Sequence, residues 1–419
     1  MSDRERLVYI SAGYPYGRGE KTFVEPEIRA LREYFEITIV SLANQDHLAD
    51  TENISDIPDD IRLVLSPPSK PLRAGIDALS MFLSPVGWQE LRALATDGMS
   101  FGRLRDSMWS FSRGKSVLRT LCKEKLLVRH NTQPALFYSF WFNNALIAFA
   151  LARRQSFCFR LCARTNGADL YNERNAHSRQ PFQRIKRDVC TNVLFCASRP
   201  FREFVKEFGE EHHRGQYVLN RLGVTGFPIQ PVFLPPERTS NTERIIVSCS
   251  SVIPIKRIML IAQSMALFDD AHPIRWIHFG DGPELKSIQA YAREHGIRAE
   301  FKGHVANEVI TRYYRSHFID AFISVSSTEG GCPVSIQEAL SACIPIVGTD
   351  VGGIPDTIRN NGVLLPANPT PQQVKEALES IVFASRERVS ALRKASLELW
   401  QERFDQTNTK RELVRILLG

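Results

Sequence analysis

Apolar residues in this chain fall into short blocks whose period switches repeatedly between strand-like and helix-like. Leu7–Ser11 reads as a strand, about Phe23 to Tyr34 as a helix, and Ile37–Leu42 as a second strand. Strand, loop, helix, strand is the repeating unit of a doubly wound parallel sheet. Ala135–Phe140, Cys158–Ala163 and Val193–Ala197 are further strand candidates. Between Thr225 and Thr242 the periodicity lapses into proline and small polar residues, the composition of a linker. A second series then begins, with strands predicted at Arg244–Ser248, Ile274–Phe279, Ala299–Phe301, Ala321–Val325 and Ile344–Val347. Helices are predicted between them at Met259–Phe268, Glu284–Glu294, Glu308–Arg315 and Val334–Ala342. The pattern therefore predicts two α/β domains, residues 1–235 and 236–419, with the last helix available to pack back on the first.

Composition leaves that picture intact, since 43% hydrophobic and 24% charged residues describe an ordinary globular chain. The apolar runs Leu7–Ile10 and Ala145–Ala152 are too short for a secretion signal or a membrane span, so a cytoplasmic location is expected. Eight scattered cysteines lack metal-ligand spacing, and no metal is expected. Charge changes the picture in one place: residues 99–129 carry eight Lys/Arg against Asp106 and Glu124, interleaved with Phe101, Trp109 and Phe111. Such a mixture suits a peripheral contact with anionic lipid, and no nucleic-acid motif accompanies it.

Two segments of the second half carry chemistry. Ser326-Ser327-Thr328-Glu329-Gly330-Gly331-Cys332-Pro333-Val334 leaves a strand through a small-residue loop and enters a helix that holds Glu338. Backbone amides at such a helix start suit phosphate or hydroxyl ligands, and a carboxylate can accept from a ribose diol. Val247–Arg257 repeats the strand-to-loop-to-helix path and brings the adjacent cations Lys256 and Arg257.

These segments resemble the family-four glycosyltransferases of the GT-B fold, particularly those of capsular and exopolysaccharide synthesis. The resemblance covers most of the chain and implies two Rossmann-like domains facing a central cleft. It implies that Glu329 contacts the donor sugar, that Gly330, Gly331, Cys332, Pro333 and Val334 bind sugar hydroxyls, and that Glu338 holds the ribose. The Glu329-to-Glu338 separation is one residue longer than is usual in the family. Lys256 matches the family lysine that neutralises the leaving phosphate. Ser251 stands where an arginine is expected, and Arg257 is the candidate substitute. Gly280 and Gly282 after one strand, and Gly303 and His304 after the next, match loops lining the nucleotide pocket. Gly352-Gly353 matches a glycine pair of the family.

In the first half, Gly17 and Gly19 resemble the loop facing the donor phosphates, although Thr22 and Glu20 break both the dinucleotide and phosphate-loop patterns. Arg164 to Asp169 resembles a segment in which Asn166 replaces a histidine, and Arg164 with Asp169 could form a structural ion pair. The resemblance implies a retaining hexosyltransferase that uses a nucleoside-diphosphate sugar, needs no cofactor or metal, and serves a glycan or lipid-linked acceptor in cell-surface polysaccharide synthesis. It places the enzyme on the cytosolic face of the membrane. A non-catalytic sugar-nucleotide-binding subunit and a sugar-nucleotide epimerase are the rival expectations.

Overall fold

The computed structural model describes residues 4–16, 20–44, 48–49, 54–129, 134–209, 215–226, 233–237, 239, 242–269 and 273–419. The chain divides into two compact units, one of residues 1–196, 200–220 and 410–419, the other of residues 197–199 and 221–409. The division therefore falls at Asn220–Arg221 rather than at 235–236. Val224 already pairs with the second unit, its N–H donating to Phe404 O at 2.9 Å. The last ten residues belong to the first unit, where Arg160 Nη1 donates to Leu418 O at 3.3 Å.

The first unit is built on strands β1 (Glu5–Ser11), β2 (Phe35–Ser41), β3 (Arg62–Leu65), β4 (Val128–Arg129), β5 (Ala135–Ser139), β6 (Phe157–Thr165), β7 (Asn192–Phe195) and β8 (Gln216–Leu219). Its sheet order is β3-β2-β1-β5-β6-β7-β8, all parallel, with β4 antiparallel to the start of β6. The second unit carries β9 (Arg244–Cys249), β10 (Ile274–Phe279), β11 (Ala299–Phe301), β12 (Ala321–Ser324), β13 (Ile346–Thr349) and β14 (Gly362–Leu365), in the parallel order β11-β10-β9-β12-β13-β14. Parallel strands are covered on both faces by helices, which is why β1, β5 and β9 read as near-continuous apolar runs. In each sheet the order reverses once, between β1 and β5 and between β9 and β12. Such a reversal opens a crevice beyond the carboxyl ends of the two central strands.

The basic segment is a surface element on one face only, where Phe101 and Trp109 are exposed. Phe101–Lys123 is a helix whose Phe111, Val117, Leu118 and Leu121 are buried in the first unit's core. Gly114 permits that packing, because a Cβ there would meet Ile147 Cβ at 2.6 Å. Half of the eight cations serve neighbouring elements. Arg103 donates to the carbonyls of Asp97 and Gly98, Arg113 to those of Leu42 and Ser66, Lys115 to Ser80 Oγ, and Arg119 to both oxygens of Asp77. Burial pulls the Arg113 guanidinium down to about 10. Among the described residues no helix is long and apolar enough to cross a membrane.

Candidate active site

At the β9/β12 reversal, two loops leave adjacent parallel strands on the same side, and these loops carry the two segments that sequence patterning singles out. After β9 the chain runs through exposed Ser251 to a single 3-10 turn, Pro254–Lys256. After β12 it runs through Ser326 to the helix Val334–Ser341. Lys256 Nζ is paired with Glu329 Oε1, which also accepts from Ser326 Oγ at 2.8 Å. The ammonium and the carboxylate thus meet although 73 residues separate them, and both are largely withdrawn from solvent.

Arg257 has another task. Its backbone is left-handed at φ 51°, an arrangement that costs about 1–2 kcal/mol in a residue with a Cβ. The guanidinium donates from Nε to Val325 O at 2.6 Å, from Nη2 to Ser326 O at 2.7 Å and Ala367 O at 2.8 Å, and from Nη1 to Asn368 Oδ1 at 3.1 Å. A guanidinium has five N–H groups. Four are committed to the loop after β12 and its neighbour, so Arg257 is a positioning residue rather than the expected second phosphate cation. Burial lowers its pKa.

Glycines let two backbones close on this loop. Gly352 has φ +49°, and a Cβ on it would lie 1.6 Å from Glu329 O; one on Gly353 would lie 2.3 Å from Gly331 C. Cys332, buried, turns its Sγ to Gly353 O at 3.3 Å, and Gln337 Nε2 donates to Cys332 O at 2.9 Å. Gly330 is buried and Gly331 half-buried in the same bend. Pro333 is the N-cap and Val334 the first helical residue, as the predicted start at Val334 requires. Ile336 and Gln337 N–H already donate to Pro333 O, each at 3.1 Å, so it is the N–H groups of Val334 and Ser335 that lack an intrahelical acceptor and make the helix start a place for anions and hydroxyls. Gly352→Ala must push the backbone of Glu329 aside. On the expectation that Glu329 contacts the donor sugar, turnover should fall at least ~10-fold, because misplacing a substrate-contacting group by about 1 Å has a cost of that order or more. An unchanged kcat with an intact circular dichroism spectrum would contradict the packing.

Glu338 faces the end of β9 from the same helix. It accepts from Asn307 Nδ2 at 2.6 Å. Burial pushes its carboxyl up to about 7, against the opposing effect of that amide. The nearby Cys249 thiol is pushed up to about 12, by burial first and by Glu338 second. Beyond β10 and β11, Gly280 and Gly303 form a backbone bridge, Gly280 N–H to Gly303 O at 2.9 Å. Side chains would not fit there: a Cβ on Gly280 would lie 1.8 Å from Ser250 O, and one on Gly282 2.4 Å from Val252 O. Gly303 has open space but a left-handed φ of +67°. His304 is exposed beside it. The roles of Asn307 and Ser326 carried no sequence signal, because each acquires its role only from the carboxylate that folding sets opposite.

In the first unit, Gly17 and Gly19 lie outside the described residues. Around them, buried Glu20 accepts from the N–H groups of Ala12 (3.0 Å), Gly13 (2.5 Å) and Tyr14 (2.9 Å) and pairs with Trp141 Nε1. This ties the loop after β1 to the loop after β5. Asn166 caps the short helix Gly167–Leu170, and its Nδ2 donates to Phe140 O at 3.2 Å. The expected Arg164–Asp169 pair is not formed. Arg164, fully buried, donates to Glu27 Oε2 at 3.0 Å, to Tyr138 Oη at 2.7 Å and to Asn220 O and Oδ1, each at 2.9 Å. Alternation explains the difference: Arg164 lies on β6 and points into the sheet's packed face, whereas Asp169 follows the strand. There its carboxylate accepts from the N–H groups of Asn166 (2.6 Å) and Phe142 (2.8 Å), and burial raises it to about 7.

Known proteins align with these features. Residues 233–396 match the family model "Glycosyl transferases group 1". Over 155 residues the chain is 28% identical to a subunit of the phosphatidylinositol N-acetylglucosaminyltransferase of Arabidopsis thaliana, a match covering 36% of this chain and 34% of that protein. The match thus spans about a third of the curated relative's length. Among solved structures, the lipopolysaccharide outer core galactosyltransferase WaaB in its apo form superposes with TM-score 0.69 at 13% identity, covering 98% of this chain and 99% of that one. Sucrose-phosphate synthase from Thermosynechococcus elongatus gives TM-score 0.69 at 16% identity, covering 99% and 98%. Anabaena Alr3699/HepE in complex with UDP and glucose gives 0.63 at 13% identity, covering 99% and 100%. At these identities the likeness is one of fold.

Proposed function

We propose that this chain, whose residues 233–396 are a group 1 glycosyltransferase domain within a GT-B fold, moves a hexose from a nucleoside-diphosphate sugar to a glycan or lipid-linked acceptor with retention at the anomeric carbon. The observation that carries the reading is the Lys256–Glu329 pair at the sheet reversal. A donor offers each partner a replacement: its diphosphate for the ammonium, its sugar hydroxyls for the carboxylate.

In this reading the anomeric C–O bond to phosphate breaks and the nucleoside diphosphate leaves with the electron pair. Lys256 and the first-turn amides of the helix Val334–Ser341 stabilise the developing charge. The acceptor hydroxyl bonds to the same face of the anomeric carbon, and its proton passes to the departing phosphate oxygen. Glu338 accepts the ribose hydroxyls. The likeness to a structure in complex with UDP and glucose supports a sugar nucleotide as donor, and the resemblance of the Glu329 and Lys256 segments to capsular and exopolysaccharide glycosyltransferases is the ground for proposing a role in cell-surface polysaccharide synthesis without a metal or cofactor. Incubation with a panel of activated sugars, followed by mass spectrometry and anomeric NMR of the product, tests the whole reading. A product of inverted configuration, or sugar isomerised without acceptor, would refute it.

The Glu338 assignment predicts a pH dependence. With its carboxyl near 7, Glu338 is mostly protonated below neutrality and loses the proton above it. A carboxylate accepts two hydroxyls where the acid must give up one acceptor site to its own proton. Donor affinity is therefore expected to strengthen severalfold from pH 6 to pH 8, and Glu338→Gln to flatten that profile in calorimetric titrations.

A further inference from the structure

The helix Pro71–Leu79 is oriented opposite to the usual amphipathic rule. Helices of globular proteins turn their large aliphatic residues to the core and their charges to water. Here the buried residues are Ala74, Asp77 and Ala78. Leu72 (82% exposed), Ile76 (53%) and Leu79 (61%) line the outer face, and Leu83 (87%) extends the stripe into the following turn. Spacings of four, three and four residues put these side chains in one row.

The orientation is locked. Buried Asp77 accepts from Arg119 at 2.6 and 3.1 Å, Ser112 Oγ donates to Ala74 O at 3.0 Å, and Lys115 Nζ donates to Ser80 Oγ at 2.9 Å. Rotating the helix to hide its leucines would break all of these and strand the Asp77 charge. One turn before Ser112 on the partner helix, Trp109 is 51% exposed, and Phe101 and Arg105 continue its row. Lys70, Arg73 and Arg105 are the exposed charges along these rows, all of one sign.

We infer that the outer face of residues 70–83, extended by Phe101, Arg105 and Trp109, is a docking surface for an anionic lipid bilayer. Large aliphatic and aromatic side chains flanked by cations fit the headgroup–acyl boundary, where the apolar row sinks in and the cations meet lipid phosphate. A second copy of the chain suits the face less well. A twofold contact would set Lys70, Arg73 and Arg105 against their own kind. The site overlaps the basic segment of the sequence only at Phe101, Arg105 and Trp109. Arg103, Arg113, Lys115 and Arg119 of that segment are engaged by neighbouring elements, and most of the exposed apolar surface comes from the adjacent helix Pro71–Leu79 and its following turn.

The experiment is flotation of the full chain with phosphatidylcholine vesicles, with and without phosphatidylglycerol, read by protein recovery and independent of any sugar donor. The expected result is binding to the mixed vesicles. Recovery should fall about fivefold in Lys70→Gln and the partition coefficient ~10-fold or more in the Leu72→Gln/Ile76→Gln/Leu79→Gln/Leu83→Gln variant. The four side chains face solvent, so circular dichroism should not change. Failure of the wild-type chain to float, or equal flotation of the fourfold variant, would overturn the inference. So would gel filtration showing a dimer that this variant dissolves, because the face would then be a self-association surface.

Discussion

Lys256→Ala is expected to lower kcat about 10²-fold, the usual effect of removing one well-placed charge that stabilises a transition state, equivalent to about 3 kcal/mol. The donor KM should move far less, because the helix-start amides and Glu338 still bind the ground state. Lys256 makes its bond with Glu329, which also holds Ser326 Oγ, so the alanine variant additionally releases Glu329 from its fixed position. Lys256→Arg is a sharper probe: it retains charge but not the compact geometry of an ammonium, and partial recovery would show that charge and position contribute separately. Steady-state nucleotide release measures both. If Lys256→Ala turned over at the wild-type rate, the pair would be structural and the proposed leaving-group role would be lost.

The second large effect concerns stability. Arg164→Leu is expected to destabilise the first unit by about 3–5 kcal/mol, because it leaves the carboxylate of Glu27 buried without its cation. Glu27 Oε1 would keep only the hydroxyl of Tyr9, at 2.9 Å, while both Asn220 acceptors lose their donor. Guanidinium unfolding followed by hydrogen exchange in β1, β5 and β6 would measure it. Because two units need not unfold together, the readout must be local to the first. Glu27→Gln/Arg164→Met should recover part of the loss, since removing both charges avoids the stranded one. Loss confined to activity with unchanged exchange protection would instead move Arg164 out of the scaffold.

Strand positions were legible where apolar blocks were long. Leu7–Ser11 and Ile274–Phe279 coincide with β1 and β10 to within two residues, and the helix following Pro333 begins where its small-residue loop predicts. β3, β8 and β14 escaped notice although three of the four residues in each are apolar, because runs of four are too short to show a period. All three are edge strands, where a short ladder with a single neighbour suffices. Residue types in the site were legible too, because Lys256, Glu329 and Glu338 sit in loops or helix starts that follow strands. Their partners were not. Arg257 looked like a phosphate cation beside Lys256, but whether its guanidinium faces ligand or carbonyl oxygens depends on the left-handed turn at its own Cα. Arg164 looked paired with the acid five residues on, whereas Glu27, 137 residues away, holds it.

Sequence alone determined that the chain forms two doubly wound α/β units and that a lysine, two glutamates and a glycine pair follow strand ends, because periodicity and turn chemistry are local properties of neighbouring residues. Tertiary structure decided which of those groups touch: Lys256 with Glu329, Arg257 with Val325 and Ser326, Glu338 with Asn307. It also decided that the Arg/Lys-rich helix is a core element and that the leucines of Pro71–Leu79 face outward. The reason is that strand order and helix rotation are set by pairings between distant segments, and a charge or an apolar row takes its meaning from what those pairings place across from it.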